Sequence, residues 1–207
     1  MKIYTMQVGP IMTNCYLLCD EEAGLCALID PGDNADRLEE MIASSGCDLQ
    51  YILLTHGHFD HCSAVRDILA NHPDVPVYIH PSDVVPAGVC NDLKFPRLDD
   101  HNQRFYGEGD TLTLGGLTIS VLATPGHSSG SVCLVAGNVI FSGDTLFRAT
   151  CGRTDFPDGS YEDILRSLAR LARLEGSYHV CPGHESQTEL DYERQVNPYM
   201  QQGLRKF

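Results

Sequence analysis

Short apolar runs, each closed by glycine, proline or a polar turn, recur along the first part of the chain. Residues 2–8 alternate between apolar and polar side chains, and residues 15–19 and 26–30 form two further short apolar segments. Alternation and short apolar runs bounded by turn residues are typical of β-strands. The opening of the chain therefore predicts an antiparallel meander of three strands.

Helical spacing of apolar residues replaces the strand pattern in three places. Residues 34–45 carry the first such pattern, with Asp33 or Asn34 available as the N-cap and Gly46 at the end. Ser63 is placed to cap a second helix that continues to residue 69. Residues 160–163 match a capping box, which predicts a third helix extending to about residue 174.

The remaining apolar segments predict more strands and a second sheet. Single strands are expected at residues 51–54, 75–80 and 178–181. Residues 111–123 and 132–142 each contain two apolar runs around a glycine-containing turn, which is the signal of a β-hairpin. We interpret the irregular residues 81–109 as a loop region on the substrate side, and residues 189–207 as a polar tail.

A cluster of potential metal ligands follows the strand at residues 51–54. His56, His58, Asp60 and His61 lie within six positions of one another. An isolated histidine often has a structural role, but three histidines this close need a metal or acidic partners to satisfy their ring nitrogens. The cluster therefore predicts a metal-binding loop at a strand end.

Three later strands also end at a potential ligand. His127, Asp144 and His184 each follow an apolar segment, so five imidazoles and two carboxylates come from four loops. Such a set is large enough for two ions, and a carboxylate with two oxygens can bridge ions about 3.5–4 Å apart. We predict that Asp144 is the bridge. Two ions would lower the pKa of a shared water and supply hydroxide, which indicates hydrolysis.

Composition and charge restrict the possible functions further. The 207 residues are 43% hydrophobic and 20% charged, values typical of one globular domain, here residues 1–207. A net charge of −14 disfavours nucleic acid and anionic membranes as partners, and no segment reaches transmembrane length. The nine cysteines form no C-x-x-C pair and the first residues do not resemble an export signal, so we expect buried thiols and a cytoplasmic protein. The oligomeric state is not predicted.

The segment Thr55-His56-Gly57-His58-Phe59-Asp60-His61, together with the three later ligands, resembles the metallo-β-lactamase superfamily. This resemblance implies an α/β fold, a four-layer αββα sandwich in which two mixed sheets are flanked by helices. Within the superfamily the chain is most similar to short, single-domain glyoxalase II-like hydrolases, which are related to hydroxyacylglutathione hydrolase. The resemblance implies that His56, His58 and His127 hold a first metal, that Asp60, His61 and His184 hold a second, and that Asp144 bridges them. Zinc is the expected metal, with iron and manganese as alternatives.

The resemblance implies a reaction as well. We expect a metal-bridging hydroxide to attack a small thioester of the S-lactoylglutathione type, or a related acyl ester or lactone, with Asp60 orienting the hydroxide or accepting its proton. Glyoxalase II has an added C-terminal helical domain with basic residues for glutathione, and we expect no counterpart of that domain here.

Two other functions remain open at this stage. Residues 151–155, Cys-Gly-Arg-Thr-Asp, also resemble persulfide dioxygenases of the superfamily, which use one iron at positions matching His56, His127 and Asp144. A non-catalytic metal-binding module is the second alternative, and it would require a closed, fully protein-ligated site.

Several other polar residues have two interpretations. Arg148 and Arg153 either form structural salt bridges or contact an anionic substrate, and we assign both as candidate substrate contacts. Cys151 is either a reactive thiol or an inert one and is left unassigned. Four isolated histidines are predicted not to be ligands: His72, His80, His101 and His179.

Overall fold

The computed structural model describes residues 1–85, 93–98 and 101–207, and it has the predicted four layers. Two six-stranded sheets pack face to face, and helices cover the outer face of each sheet. The prediction of two mixed sheets flanked by helices is therefore confirmed. Within the described ranges, no helix combines the length and the apolar character needed to cross a membrane.

The first sheet contains the first six strands in sequence order. The opening meander is antiparallel as predicted, and the strands that follow it run parallel to their neighbours. The strands are β1 (Lys2–Val8), β2 (Thr13–Asp20), β3 (Leu25–Ile29), β4 (Asp48–Leu53), β5 (Val77–Ile79) and β6 (Gln103–Phe105).

The second sheet has the order β14-β13-β10-β9-β8-β7. Both predicted hairpins are present, and β13 pairs parallel to β10, so the ends of these two strands lie at the same edge. The strands are β7 (Thr111–Leu114), β8 (Leu117–Ala123), β9 (Val132–Ala136), β10 (Val139–Gly143), β13 (His179–Pro182) and β14 (Thr188–Glu189). A separate two-stranded ribbon is formed by β11 (Leu146–Phe147) and β12 (Thr150–Cys151).

Within residues 1–85, 93–98 and 101–207, six helices flank the sheets. They are α1 (Ala35–Ser45), α2 (Phe59–Cys62), α3 (Val65–Asn71), α4 (Tyr161–Ala172), α5 (Leu190–Val196) and α6 (Pro198–Lys206). Apolar residues of α1 and α3 pack on the first sheet, whereas those of α4, α5 and α6 pack on the second. Ser160 caps α4 by accepting a hydrogen bond from the Asp163 amide, as the capping box predicts.

Burial explains why β2, β3, β9 and β10 read as apolar runs rather than as alternating strands. One core cluster lies between the two sheets, so these strands are covered on both faces. Seven of the eight described cysteines are buried and all eight are free thiols, which confirms their prediction as small buried residues. Cys90 lies outside the described residues.

The prediction of a polar tail at residues 189–207 is wrong. Strand β14 and helices α5 and α6 occupy this segment, and α6 packs against α4. The contact is close because a Cβ at Gly203 would lie 2.3 Å from the Leu165 carbonyl oxygen. Because a glycine lets α6 lie directly against α4, few large apolar side chains are needed at this contact. The sequence of the segment therefore shows no clear helical pattern of apolar residues.

Three local predictions also differ from the structure. Residues 81–109 contain a 3₁₀ turn (Pro81–Asp83) and strand β6, and no described residue of this stretch lines the cavity at the metal centre. Residues 86–92 and 99–100 of the predicted loop lie outside the described ranges. Ser63 does not cap α3, because its hydroxyl donates to the Phe59 carbonyl at 2.6 Å and Ala64 takes the N-cap position. Asn34 stands at the N-cap of α1 but makes no capping bond, because its side-chain oxygen accepts from the Gly9 amide instead.

Candidate metal centre

Four loops at one edge of the sandwich bring together all seven predicted ligands. The loops follow β4, β8, β10 and β13, and each begins where an apolar strand ends. Their potential donor atoms form compact groups whose members lie within 4.8 Å of one another. We call His56, His58 and His127 the first ligand group, and Asp60, His61 and His184 the second ligand group.

Asp144 lies between the two ligand groups. Its Oδ2 is 3.4 Å from His127 Nε2 in the first group, and its Oδ1 is 3.4 Å from His61 Nε2 in the second. Ligand atoms that share a tetrahedral ion at zinc–nitrogen distances lie about 3.3 Å apart. One carboxylate therefore faces both groups at separations suited to shared ions.

Three buried polar atoms at this centre have no hydrogen-bond partner among the residues that the structure describes. They are His56 Nε2, His58 Nε2 and Asp144 Oδ1. Buried polar atoms are almost always paired, because leaving one unpaired costs about 1–3 kcal/mol. In addition, the other ring nitrogen of His58, Nδ1, lies 2.8 Å from His127 Nε2. Unpartnered atoms on His56 and Asp144, beside two ring nitrogens at this separation, fit a site for a divalent cation.

Asp30 orients two of the histidines from behind. Its Oδ2 accepts from His61 Nδ1 at 3.0 Å and from the Thr55 hydroxyl at 2.7 Å, while its Oδ1 accepts from the Thr55 amide at 2.8 Å. Because the Thr55 hydroxyl donates to Asp30, it accepts from His56 Nδ1 at 3.1 Å. Both rings are thereby held as tautomers that leave Nε2 free for a metal.

Asp30 was not singled out as a functional residue from the sequence. It belongs to Asp30-Pro31-Gly32, a segment that ends the third strand and shares in the resemblance to the superfamily, but no role was predicted for its side chain. The structure gives a further signal, because Asp30 adopts a φ of 53°, a left-handed conformation that is uncommon for residues other than glycine. Its side chain is nevertheless buried, behind the rings of the candidate ligands His56 and His61.

The Asp83 carboxylate links the two loops that carry the first ligand group by hydrogen bonds to both of them. Its carboxylate accepts from the Gly57 amide at 2.9 Å, the Ser128 hydroxyl at 2.7 Å and the Gly130 amide at 2.8 Å. On the other side, His127 Nδ1 donates to the Arg153 carbonyl at 2.8 Å. Asp83 lies in a stretch without periodicity, so no feature of the sequence distinguishes it.

Strand β2 supports the second ligand group. The Thr13 hydroxyl donates to Asp60 Oδ2 at 3.0 Å. Asn14 and Tyr16 donate to the Pro182 carbonyl at 3.0 and 2.7 Å, which holds the loop before His184. These contacts link the first sheet to the second at the centre itself.

The two ligand groups differ in their electrostatics. Burial lowers the pKa of His56 well below its ordinary value and that of His58 to about 4, so both rings are neutral at pH 7. Burial also acts to lower the pKa of His61, but the carboxylates of Asp144 and Asp30 outweigh it and raise that pKa. In Asp60 burial is outweighed by the hydrogen bond from His184 and by nearby histidine charge, so its pKa is lowered. His56 and His58 are thus neutral donors, whereas the carboxylates around His61 favour its protonated form when no metal is bound.

Two glycines allow the loops to approach Asp144. A Cβ at Gly183 would lie 2.3 Å from Asp144 Oδ1, and a Cβ at Gly152 would lie 1.9 Å from the Asp144 carbonyl oxygen. Real Cβ atoms do not approach other atoms so closely. Gly152 therefore has a packing role in the Cys-Gly-Arg-Thr-Asp segment.

A cavity of about 420 Å³ opens over the ligand groups. Arg153 lines it, but the guanidinium forms two 2.6 Å hydrogen bonds to Asp155. Arg148 does not line this cavity, and its guanidinium lies 5.6 Å from the centroid of the Tyr192 ring. Substrate contact by either arginine stays a prediction. The other lining residues are Ile11, His58, Phe59, Asp60, His127, Asp144, Phe147, Phe156 and His184.

The four histidines that were predicted not to be ligands lie outside the ligand groups. His72 pairs with Glu39 at 3.0 Å, His179 contacts Glu189 at 2.8 Å, and His80 accepts from the Ser82 amide at 3.2 Å. His101 is exposed.

Burial raises the pKa of Cys151 to about 11, so its thiol is protonated at pH 7 and has no activated thiolate.

Comparison with known proteins agrees with this geometry. The family model described as the metallo-beta-lactamase superfamily matches residues 8–184. Hydroxyacylglutathione hydrolase GloC of Haemophilus influenzae is 32% identical over 97% of this chain and 98% of its own length. The structure of ETHE1 from Myxococcus xanthus aligns with a TM-score of 0.82 and 29% identity, covering 96% of this chain and 84% of that one. TTHA1623, solved in a di-iron-bound form, aligns with a TM-score of 0.78 and 34% identity, covering 95% of this chain and 99% of that one.

Proposed function

The chain belongs to the metallo-β-lactamase superfamily, and from that premise we propose that it is a binuclear, metal-dependent hydrolase. The bond it cleaves is a thioester of the kind found in S-lactoylglutathione, or a related acyl ester or lactone. Its partner is a small molecule, because a net charge of −14 disfavours nucleic acid.

The observation that carries this proposal is the position of Asp144. One carboxylate faces both ligand groups at 3.4 Å, so its two oxygens are together available to two ions. With Asp144 shared, each ion would have four protein ligands, and a shared water would be the fifth ligand, as in zinc sites that expand to five-coordinate geometry during catalysis. We therefore assign the first ligand group to one ion, the second ligand group to another, and Asp144 to both. Zinc is the metal we propose, with iron and manganese as alternatives.

The residues around the centre then have distinct tasks. Two bound divalent ions would supply Lewis acidity and lower the pKa of water toward neutrality. Asp60, held at Oδ2 by Thr13, is placed to orient that water or accept its proton. Asp30 and Asp83 fix the ligand rings and loops, so that little reorganisation is needed during the reaction.

A second candidate function is iron-dependent oxidation of a glutathione persulfide. The Cys151–Asp155 segment and the similarity to ETHE1 favour it. It would use one ion at His56, His127 and Asp144. The second ligand group would then have no task in the reaction, which is why we prefer hydrolysis.

Two assays on protein purified without chelator separate these functions. The hydrolase should release free thiol from a thioester under anaerobic conditions, and the dioxygenase should consume oxygen with glutathione persulfide. Oxygen-dependent turnover by a form with one iron, without anaerobic thiol release, contradicts the hydrolase proposal.

A further inference from the structure

The walls of the cavity above the metal centre are apolar on both flanks. The Phe156 ring lies 4.9 Å from the His58 ring and 5.7 Å from the His127 ring, which places it against the first ligand group. The Phe147 ring lies 6.0 Å from the His184 ring, against the second ligand group. A substrate whose reacting carbonyl reaches both ions must therefore pass between aromatic surfaces.

The rim of the cavity is apolar as well, although it is in contact with water. Ile11, in the turn between β1 and β2, and Phe59, at the start of α2, are each 48% exposed and line the cavity. Exposed apolar side chains gathered at a cavity mouth indicate a binding surface for an apolar group, because covering them removes apolar area from water.

Cationic side chains are scarce at this cavity. Among the described lining residues Arg153 is the only lysine or arginine, and it is already paired with Asp155 and stacked 4.4 Å from the Phe156 ring centroid. The segments outside the described ranges, residues 86–92 and 99–100, contain no lysine or arginine in their sequence. The chain as a whole carries a net charge of −14.

These features are poorly suited to a glutathione conjugate. The glutathionyl group carries two carboxylates and one ammonium, and placing the carboxylates in a cavity whose one described arginine is already paired costs desolvation. An uncharged group avoids this cost and gains from the apolar walls.

Resting on the proposed hydrolase function, we propose that the substrate is an uncharged thioester or ester with apolar groups on both sides of the reacting carbonyl, rather than a glutathione conjugate. Water adds its oxygen to the acyl carbon, the carbon–sulfur or carbon–oxygen bond breaks, and the leaving group takes the remaining proton. Ile11 is a specificity-determining residue in this account.

The test is a matched series of thioesters hydrolysed anaerobically by metal-loaded protein, with thiol release as the readout. For one acyl group, the N-acetylcysteamine thioester should exceed the glutathione thioester in kcat/KM by tenfold or more. Along a series of N-acetylcysteamine thioesters from acetyl to hexanoyl, kcat/KM should rise about fourfold per methylene, equivalent to about 0.8 kcal/mol.

Two serine variants locate the effect. Ile11→Ser should reduce the increment per methylene to less than about twofold, at unchanged metal content, because it removes the aliphatic rim. Val196→Ser is the matched control: Val196 is an aliphatic residue of α5, 43% exposed, and it does not line the cavity. That variant should keep the full increment. In the opposite direction, Ile11→Lys should raise kcat/KM for the glutathione thioester.

The outcomes distinguish the two proposals. Turnover with a preference for the glutathione thioester, or an increment that survives Ile11→Ser, overturns the inference and leaves the hydrolase function intact. Absence of hydrolysis of every thioester and of a matched ester and lactone by protein that holds both metals overturns both.

Discussion

Replacement of Asp30 by asparagine tests whether the carboxylate behind the histidines controls metal binding. Asparagine has nearly the same shape and tolerates the positive φ at this position. Its oxygen can still accept from the Thr55 amide, but its NH₂ group would then face His61 Nδ1 and the Thr55 hydroxyl, where Asp30 Oδ2 accepts at 3.0 and 2.7 Å.

The expected loss follows from these contacts. A hydrogen bond to a charged group contributes about 1.5–3 kcal/mol, and His61 loses the acceptor that keeps its Nε2 free. Each factor of ten in affinity corresponds to about 1.4 kcal/mol, so metal affinity should fall roughly 10- to 100-fold. The weakening should be larger for the ion held by the second ligand group, which contains His61.

Competition with a chromophoric chelator measures this loss directly. Asp20→Asn is the control, because Asp20 is another buried aspartate, which accepts from the Gly116 amide at 2.7 Å, away from the centre. It should leave metal affinity unchanged. Equal affinity of the wild type and Asp30→Asn for both ions would refute the argument that Asp30 sets the ring tautomers.

Three further predictions concern the centre. Asp144→Ala should lose metal and activity together, because both ions lose a ligand. His179→Ala should retain its metal in elemental analysis. The reverse pattern would contradict the ligand assignment. Gly183→Ala should reduce kcat/KM on the order of 100-fold, since its Cβ would lie 2.3 Å from Asp144 Oδ1. The kcat/KM of Gly116→Ala should stay close to that of the wild type, because its Cβ would lie no closer than 3.5 Å to another residue. Zinc binding at pH 7 should release protons, because carboxylates raise the pKa of His61 and His184, whereas burial keeps His56 and His58 neutral. Calorimetry in buffers of different ionisation enthalpy counts these protons, and release of none would contradict the pKa assignment.

The candidate ligands were predictable because each stands just after an apolar strand. Burial on both faces makes these strands visible as apolar runs, and the parallel pairing of β10 and β13 brings Asp144 and His184 to one edge. The local chemistry of the metal centre is therefore encoded in short segments of sequence. The roles of these residues as ligands stay predictions until metal binding is measured.

The supporting residues were not predictable in the same way. Asp30 and Asp83 are single aspartates in turns, and their importance depends on contacts with residues 25 to 47 positions away. Helix α6 was missed for a related reason. Its buried face depends on Met200 and on the close approach at Gly203, which leave a mostly polar segment without a regular apolar pattern.

The apolar rim of the cavity is a tertiary feature too. Ile11 lies in a turn and Phe59 lies between two candidate ligands, so neither position belongs to an apolar run. Only the folded chain brings them together with Phe147 and Phe156 around one cavity.

We propose that two ions act together in hydrolysis. The most direct measurement is anaerobic thiol release during titration of metal-free protein with zinc. Activity should rise to a plateau at two ions per chain, and Asp144→Ala should show no such rise. Full activity at one ion per chain, or no thiol release at two, would contradict the account.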